Sequence, residues 1–102
     1  MPQSSISQLM RHGGDAEDIE RRLSASIDPA WRRRLGQELR RRRTDRGLTQ
    51  SALGAPLSKA FVSAVEHGRS VPSLPALRLM TTRLDTTLGE FLTCVEEEST
   101  AG

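Results

Sequence analysis

The chain has 102 residues, of which 35% are hydrophobic and 3% aromatic, and 15 basic side chains set against 13 acids leave a net charge of +2. That length suits one small domain with an aliphatic core and leaves no room for a large catalytic cleft. No apolar run approaches the roughly 20 residues of a membrane helix, and residues 1–10 lack the basic-then-apolar layout of a signal peptide. The single cysteine, Cys94, excludes an internal disulfide framework and leads us to expect a reducing, cytoplasmic setting.

Residues 1–14 read as loose chain broken by Gly13-Gly14, with Ile6, Leu9 and Met10 spaced for one short helical turn. Asp15 is placed to cap a helix running to about Ser24, with acids in its first turn and Arg21-Arg22 in its last. Ile19, Leu23 and Ile27 give this segment one apolar stripe, to pack on its own domain or on a second copy.

Asp28 at an N-cap and Pro29 at the first helical position open the next helix, and Gly47 closes it. Trp31, Leu35 and Leu39 repeat at i, i+4 along it. Arg43 is the next member of that stripe, and a cation on an apolar face asks for a partner. Gly36 costs about 1 kcal/mol relative to Ala inside a helix. Either a neighbour approaches closely there or the glycine is simply tolerated.

Thr49 caps a short helix from Gln50 to about Ala55, ended by Pro56. Ser58 caps a helix to about Glu66, with Val62 and Val65 inward, Phe61 beside them, and His67-Gly68 as the stop. Ser73 caps another, with Pro75 in its first turn and Leu74, Leu77, Leu79, Met80 and Leu84 apolar. Thr87-Leu88-Gly89-Glu90 reads as a capping box opening a last helix, along which Leu88, Phe91, Leu92 and Val95 follow at i, i+3, i+4, i+7. Glu96–Glu98 puts like charges at a helix C-terminus, which predicts a frayed acidic tail over residues 96–102. No strand pattern occurs, so the expected class is all-α.

The net charge conceals a partition. Residues 1–28 carry −2; residues 29–69 carry ten bases against three acids, +7; residues 70–83 add +2; and residues 84–102 carry −5. A positive centre between acidic ends is what a polyanion-binding face looks like, and it is also what a solvated helix surface looks like. The ratio of 14 Arg to one Lys suggests a GC-rich bacterial genome.

Residues 35–92 resemble the Xre/Cro, lambda-repressor-like helix-turn-helix family. The matching pieces are Leu35, Leu39-Arg40 and Arg46-Gly47-Leu48-Thr49-Gln50; then Val62-Ser63 and Glu66-His67-Gly68-Arg69; then Pro72-Ser73-Leu74 and Leu77; and finally Leu84, Leu88 and Phe91-Leu92. The resemblance implies a five-helix domain over residues 29–95, with residues 1–28 as a helical N-terminal extension. It further implies that the helix of about 58–66 enters the major groove N-terminus first. Ser58, Lys59, Ala60 and Ala64 then occupy base-facing positions, with Ser63 nearby. Lys59 suits guanine, Ser58 serves either role, and the two alanines suit a thymine methyl. Arg40, Thr49, Gln50, His67 and Arg69 fall where phosphates are met; the plainer reading of Gln50 and Lys59 is an ordinary surface residue, and a neutral His67 would add little charge to a phosphate contact. In the family, the positions of Arg43 and Glu66 hold an ion pair that fastens the first helix to the recognition helix. The other reading makes Arg43 one more phosphate contact. The connection Gly54-Ala55-Pro56-Leu57 is about two residues shorter than the usual motif, so the first motif helix must be correspondingly short.

No phosphate loop, dinucleotide fingerprint or nucleophile elbow is present. His12, His67 and Cys94 lack metal-ligand spacing. We therefore expect no enzyme, metal or cofactor. Cys94 reads as a small half-buried residue, or as a thiol at a dimer seam. The leading expectation is a transcriptional repressor that binds double-stranded DNA at a palindromic operator as a homodimer, with Leu88, Phe91, Leu92 and Val95 or the helix of residues 15–27 as dimer surface. The alternative is an antitoxin-type regulator whose residues 1–28 clamp a protein partner. A pure protein-interaction module is the third class, and the +7 centre argues against it.

Overall fold

A computed structural model describes residues 16–25 and 27–101. The expected Asp15 cap and the turn at residues 6–10 lie outside the described residues. Six helices follow in order: α1 (Ala16–Ala25), α2 (Pro29–Asp45), α3 (Gln50–Gly54), α4 (Lys59–Glu66), α5 (Leu74–Arg83) and α6 (Leu88–Ala101). No strand occurs among the described residues, and the class is all-α.

Local chemistry accounts for the helix starts. Asp28 Oδ1 accepts the Ala30 N–H at 3.0 Å. Thr49, Ser58 and Ser73 each accept a backbone N–H three residues on, from Ala52, Phe61 and Ala76, at 3.0, 3.1 and 3.3 Å. Each cap satisfies a donor that the helix leaves unpaired. The box at α6 is half formed: Thr87 Oγ1 accepts the Glu90 N–H at 3.0 Å, while the Glu90 carboxylate turns to the Thr86 hydroxyl, also at 3.0 Å.

The ends of α2, α4 and α5 share one device. Leu48, Arg69 and Thr86 donate their N–H groups back to Arg43, Ala64 and Thr81 at 3.1, 2.8 and 3.0 Å. The residue before each lies in left-handed backbone: Gly47 (φ 67°), Gly68 (φ 74°) and Asp85 (φ 56°). Glycine takes that conformation without steric cost, and Asp tolerates it.

The core is aliphatic except for Phe91. Leu35 and Leu39 of α2, Leu53 of α3, Val62 and Val65 of α4, Leu77 and Met80 of α5, Leu84, and Phe91 and Val95 of α6 are all buried. Helix α2 packs on both α4 and α6, while α3 packs on α4 and α5. Trp31, Leu48, Phe61, Leu88 and Leu92 close the rim of this core.

Two expectations are corrected here. Phe91 and Val95, expected at a dimer surface, are fully buried within the protomer and have no area left for a partner. Leu88 and Leu92 stay half-buried on the outer side of the same helix. Leu74, the first residue of α5, is 64% exposed. Helix α6 does not end at Val95 but continues to Ala101. One acid of that run is put to use, because Trp31 Nε1 donates to Glu96 Oε1 at 3.1 Å and ties α6 to α2.

Gly36 has a packing reason. A Cβ at this position would drive into the carbonyl oxygens of Val65 and Glu66 at the end of α4. The glycine is therefore the point of close approach between α2 and α4.

Candidate nucleic-acid interface

Helix α4 presents two different faces. Val62, Val65 and Glu66 are buried. Ser58, Lys59 and Ala60 are exposed at its start, while Ser63 and Ala64 are half-buried further along. The Ser58 oxygen is occupied by the Phe61 N–H, which leaves its hydroxyl hydrogen to donate outward. Phe61 packs on the core rim.

The short turn ahead of α4 fixes where that face begins. Leu57 N–H donates to the Gly54 carbonyl at 2.7 Å, across the cis Ala55–Pro56 bond. A Cβ on Gly54 would overlap a Val62 methyl, so α3 sits directly on α4. Helix α3 has five residues, as the shortened connection requires.

A buried ionic knot holds α4 to the rest of the domain. Arg43 Nε donates to Glu66 Oε2 at 2.6 Å, and Arg43 Nη2 to Glu66 Oε1 at 3.1 Å. Arg43 Nη1 donates to the Leu48 carbonyl at 2.8 Å. The Arg43 and Glu66 side chains retain 13% and 2% of their exposure. Each guanidinium nitrogen has a partner within the domain, so three of the five N–H donors of Arg43 are committed to the pair and the Leu48 carbonyl, which favours the ion-pair reading of this residue over the phosphate one. Gln50 joins the same knot: its Nε2 donates to Glu66 Oε1 at 3.1 Å. The amide expected to reach outward is turned inward, where it satisfies a second lone pair of the buried carboxylate.

A second ionic cluster, unassigned from the sequence, joins α2 to α6. The Glu38 carboxylate is buried and accepts from Arg41 at 2.5 and 3.2 Å and from Arg42 Nε at 2.6 Å. Burial pushes the Glu38 pKa up, but hydrogen bonds and charge from Arg41 and Arg42 outweigh it, and the net shift is downward. Arg42 Nη2 also donates to Cys94 Sγ at 3.2 Å, and its guanidinium carbon lies 5.8 Å from the centre of the Phe91 ring. Cys94 is half-buried against this cluster. The Glu-x-x-Arg-Arg spacing was the available signal, since i, i+3 and i, i+4 residues meet on a helix.

These pairs divide the basic segment into structural and free charge. Arg41, Arg42, Arg43 and Arg46 are tied to Glu38, Asp45, Glu66 and Asp85. Arg83 Nη1 donates to the Leu53 carbonyl at 3.1 Å and so caps α3 from α5. No ion pair engages Arg40, Lys59 or Arg69 among the described residues, and all three are exposed. His67 is exposed as well; its Nδ1 lies 2.8 Å from the Ser63 carbonyl, so that nitrogen carries the hydrogen in this contact.

No group of three or more His, Cys, Asp and Glu side chains among the described residues is placed to hold a metal ion. No helix of the described residues is long and apolar enough to cross a membrane.

A profile described as a helix-turn-helix domain matches residues 34–91, more than half of the chain. No curated protein matches the sequence.

Proposed function

This chain belongs to the Xre/Cro-like helix-turn-helix family, and from that premise we propose that it is a cytoplasmic transcriptional repressor binding a palindromic operator as a homodimer. The family assignment makes it a DNA-binding regulator in outline; the operator symmetry, the pairing and the sign of regulation are our reading. The observation that carries it is the state of α4. Its base is locked by the Arg43–Glu66 pair and the Gly36 contact, while its N-terminal face, with Ser58, Lys59 and Ala60, is open to solvent. A rigidly held helix with an open, donor-bearing N-terminus is what major-groove reading requires.

In this reading Lys59 donates to guanine O6 or N7, Ser58 donates its hydroxyl hydrogen to a base, and Ala60 and Ala64 meet thymine methyls, with Ser63 at the edge. Arg40 and Arg69 are free cations for phosphate, while Thr49, Gln50 and His67 act at most through backbone or residual donors. So small a reading set yields modest specificity per protomer, which two-fold pairing on two half-sites multiplies.

The test is selection of bound sequences from a random duplex pool with the wild type and Lys59→Ala. The expected result is a two-fold symmetric site for the wild type and relaxed preference at one base pair per half-site for the variant. Equal binding to all duplexes, with no enrichment, overturns the reading. Repression in a cell would show as derepressed transcription from a promoter carrying the selected site when the protein is removed.

A further inference from the structure

Helix α3 has five residues, and every carbonyl of its last turn has a partner. The last four carbonyls of a helix find none within it, so these partners come from outside. Ser51 accepts the Ala55 N–H at 3.0 Å, and Gly54 accepts the Leu57 N–H at 2.7 Å. The two carbonyls between them share one donor from another helix. Arg83 Nη1 donates to Leu53 at 3.1 Å and, in a longer contact, to Ala52 at 3.4 Å. Arg83 is the last residue of α5 and lies 30 positions from Leu53.

A helix this short does not hold itself together, so its place is set by what surrounds it. Leu53 is fully buried, and Gly54 lies directly against a Val62 methyl of α4. Any shift of α3 is therefore passed to α4. The path is short, because residues 54–57 connect the two helices and Ser58, Lys59 and Ala60 follow at once. Arg83 has no carboxylate partner among the described residues. Its cation is turned to the C-terminal end of α3, where helix carbonyls favour positive charge.

We propose that Arg83 is a positioning residue for base reading: by gripping the end of α3 it fixes how α4 presents Ser58, Lys59 and Ala60 to the major groove. This role rests on the DNA-binding reading of α4. Base contacts need their side chains held to within about 0.5 Å. Without Arg83 the Ala52 and Leu53 carbonyls must find water, and α3 with its connection loosens beneath the reading face. Arg83 acts through α3 and not by touching DNA. The rival role for an exposed arginine is a direct phosphate contact, and the two leave different signatures. A lost phosphate contact weakens every duplex and lowers the salt dependence, whereas a loosened reading face loses discrimination between sequences.

The test is fluorescence anisotropy over a salt series on the full-length wild type, Arg83→Ala and Arg83→Met, well below their melting temperatures. The duplexes are the selected site and single-base variants of it. Met keeps much of the arginine stem and removes its donors, so it decides if the alanine variant fails to fold. Both variants should lose about tenfold in preference for the selected site, with affinity for the altered duplexes and the salt slope unchanged. Hydrogen exchange on the same proteins without DNA should be faster at the Leu53, Ala55 and Leu57 amides and unchanged in α2 and α6. Uniform weakening with a slope lower by about one would make Arg83 a phosphate contact and overturn the proposal. An intact preference overturns it as well, even with a lower melting temperature, because Arg83 would then serve stability alone. A wild type that prefers no sequence refutes the DNA-binding reading. The exchange rates then decide by themselves whether Arg83 holds α3 and the start of α4, and unchanged rates overturn that.

Discussion

Arg43 on α2 grips Glu66 on α4 through two contacts of 2.6 and 3.1 Å, with the glutamate side chain 98% withdrawn from water. Removing one partner of such a pair leaves an uncompensated buried charge, which costs about 3–5 kcal/mol. Arg43→Ala also strips the Leu48 carbonyl and unbalances Gln50, both joined to the same knot. We expect its melting temperature to fall by roughly 10 °C or more, since about 1 kcal/mol moves a domain of this size by 4–8 °C. An unchanged melting curve for Arg43→Ala would show the pair to be structurally idle.

How much of this was readable in the sequence depends on the distance over which each feature is set. Thr49, Ser58 and Ser73 are legible because a cap is written within three residues of itself. Arg43 is legible as a cation stranded on an apolar stripe, and Gly36 as an unexplained helical glycine. The Trp31–Glu96 bond spans 65 positions, so the sequence showed Glu96 only as a charge at the wrong end of a helix. The direction of Gln50 turns on how closely α3 approaches the end of α4, which no local rule specifies. An i, i+3, i+4, i+7 stripe reports that one side of α6 is apolar; only packing divides it into Phe91 and Val95 inside and Leu88 and Leu92 at the rim.

Glu38 links stability to pH. Its folded-state pKa is depressed because Arg41 and Arg42 outweigh the cost of burial. A depressed carboxylate contributes fully above its unfolded value and loses that contribution as pH falls through the folded one. Glu38→Gln should therefore be less stable than the wild type at neutral pH, and the gap in urea midpoints should narrow as pH falls towards about 3. A gap that stays constant across this range would show that the variant disturbs packing and not charge.

Two glycines in helices should respond in opposite directions to alanine. At Gly36 the propensity gain of about 1 kcal/mol is set against backbone carbonyls of Val65 and Glu66 that cannot swing aside. Overpacking of this kind costs about 1–3 kcal/mol, so Gly36→Ala should destabilise. At Gly89 a Cβ meets nothing within 4 Å, and Gly89→Ala should stabilise by about 0.5–1 kcal/mol. Chemical denaturation of the two variants side by side checks both signs.

Lys59 and Arg69 are both exposed cations near α4, yet the proposed roles separate them. A base-reading lysine at the helix start discriminates one base pair by about 1–3 kcal/mol. A phosphate-binding arginine beyond the helix end adds affinity without regard to sequence. Lys59→Ala should flatten the preference at one position per half-site while leaving others intact. Arg69→Ala should weaken every duplex to a similar degree and lower the slope of log affinity against log salt by about one. Fluorescence anisotropy over a salt series, with the selected site and single-base variants of it, distinguishes the two. If Lys59→Ala merely behaved as Arg69→Ala does, Lys59 would be a backbone contact and base reading would fall to Ser58, Ala60, Ser63 and Ala64.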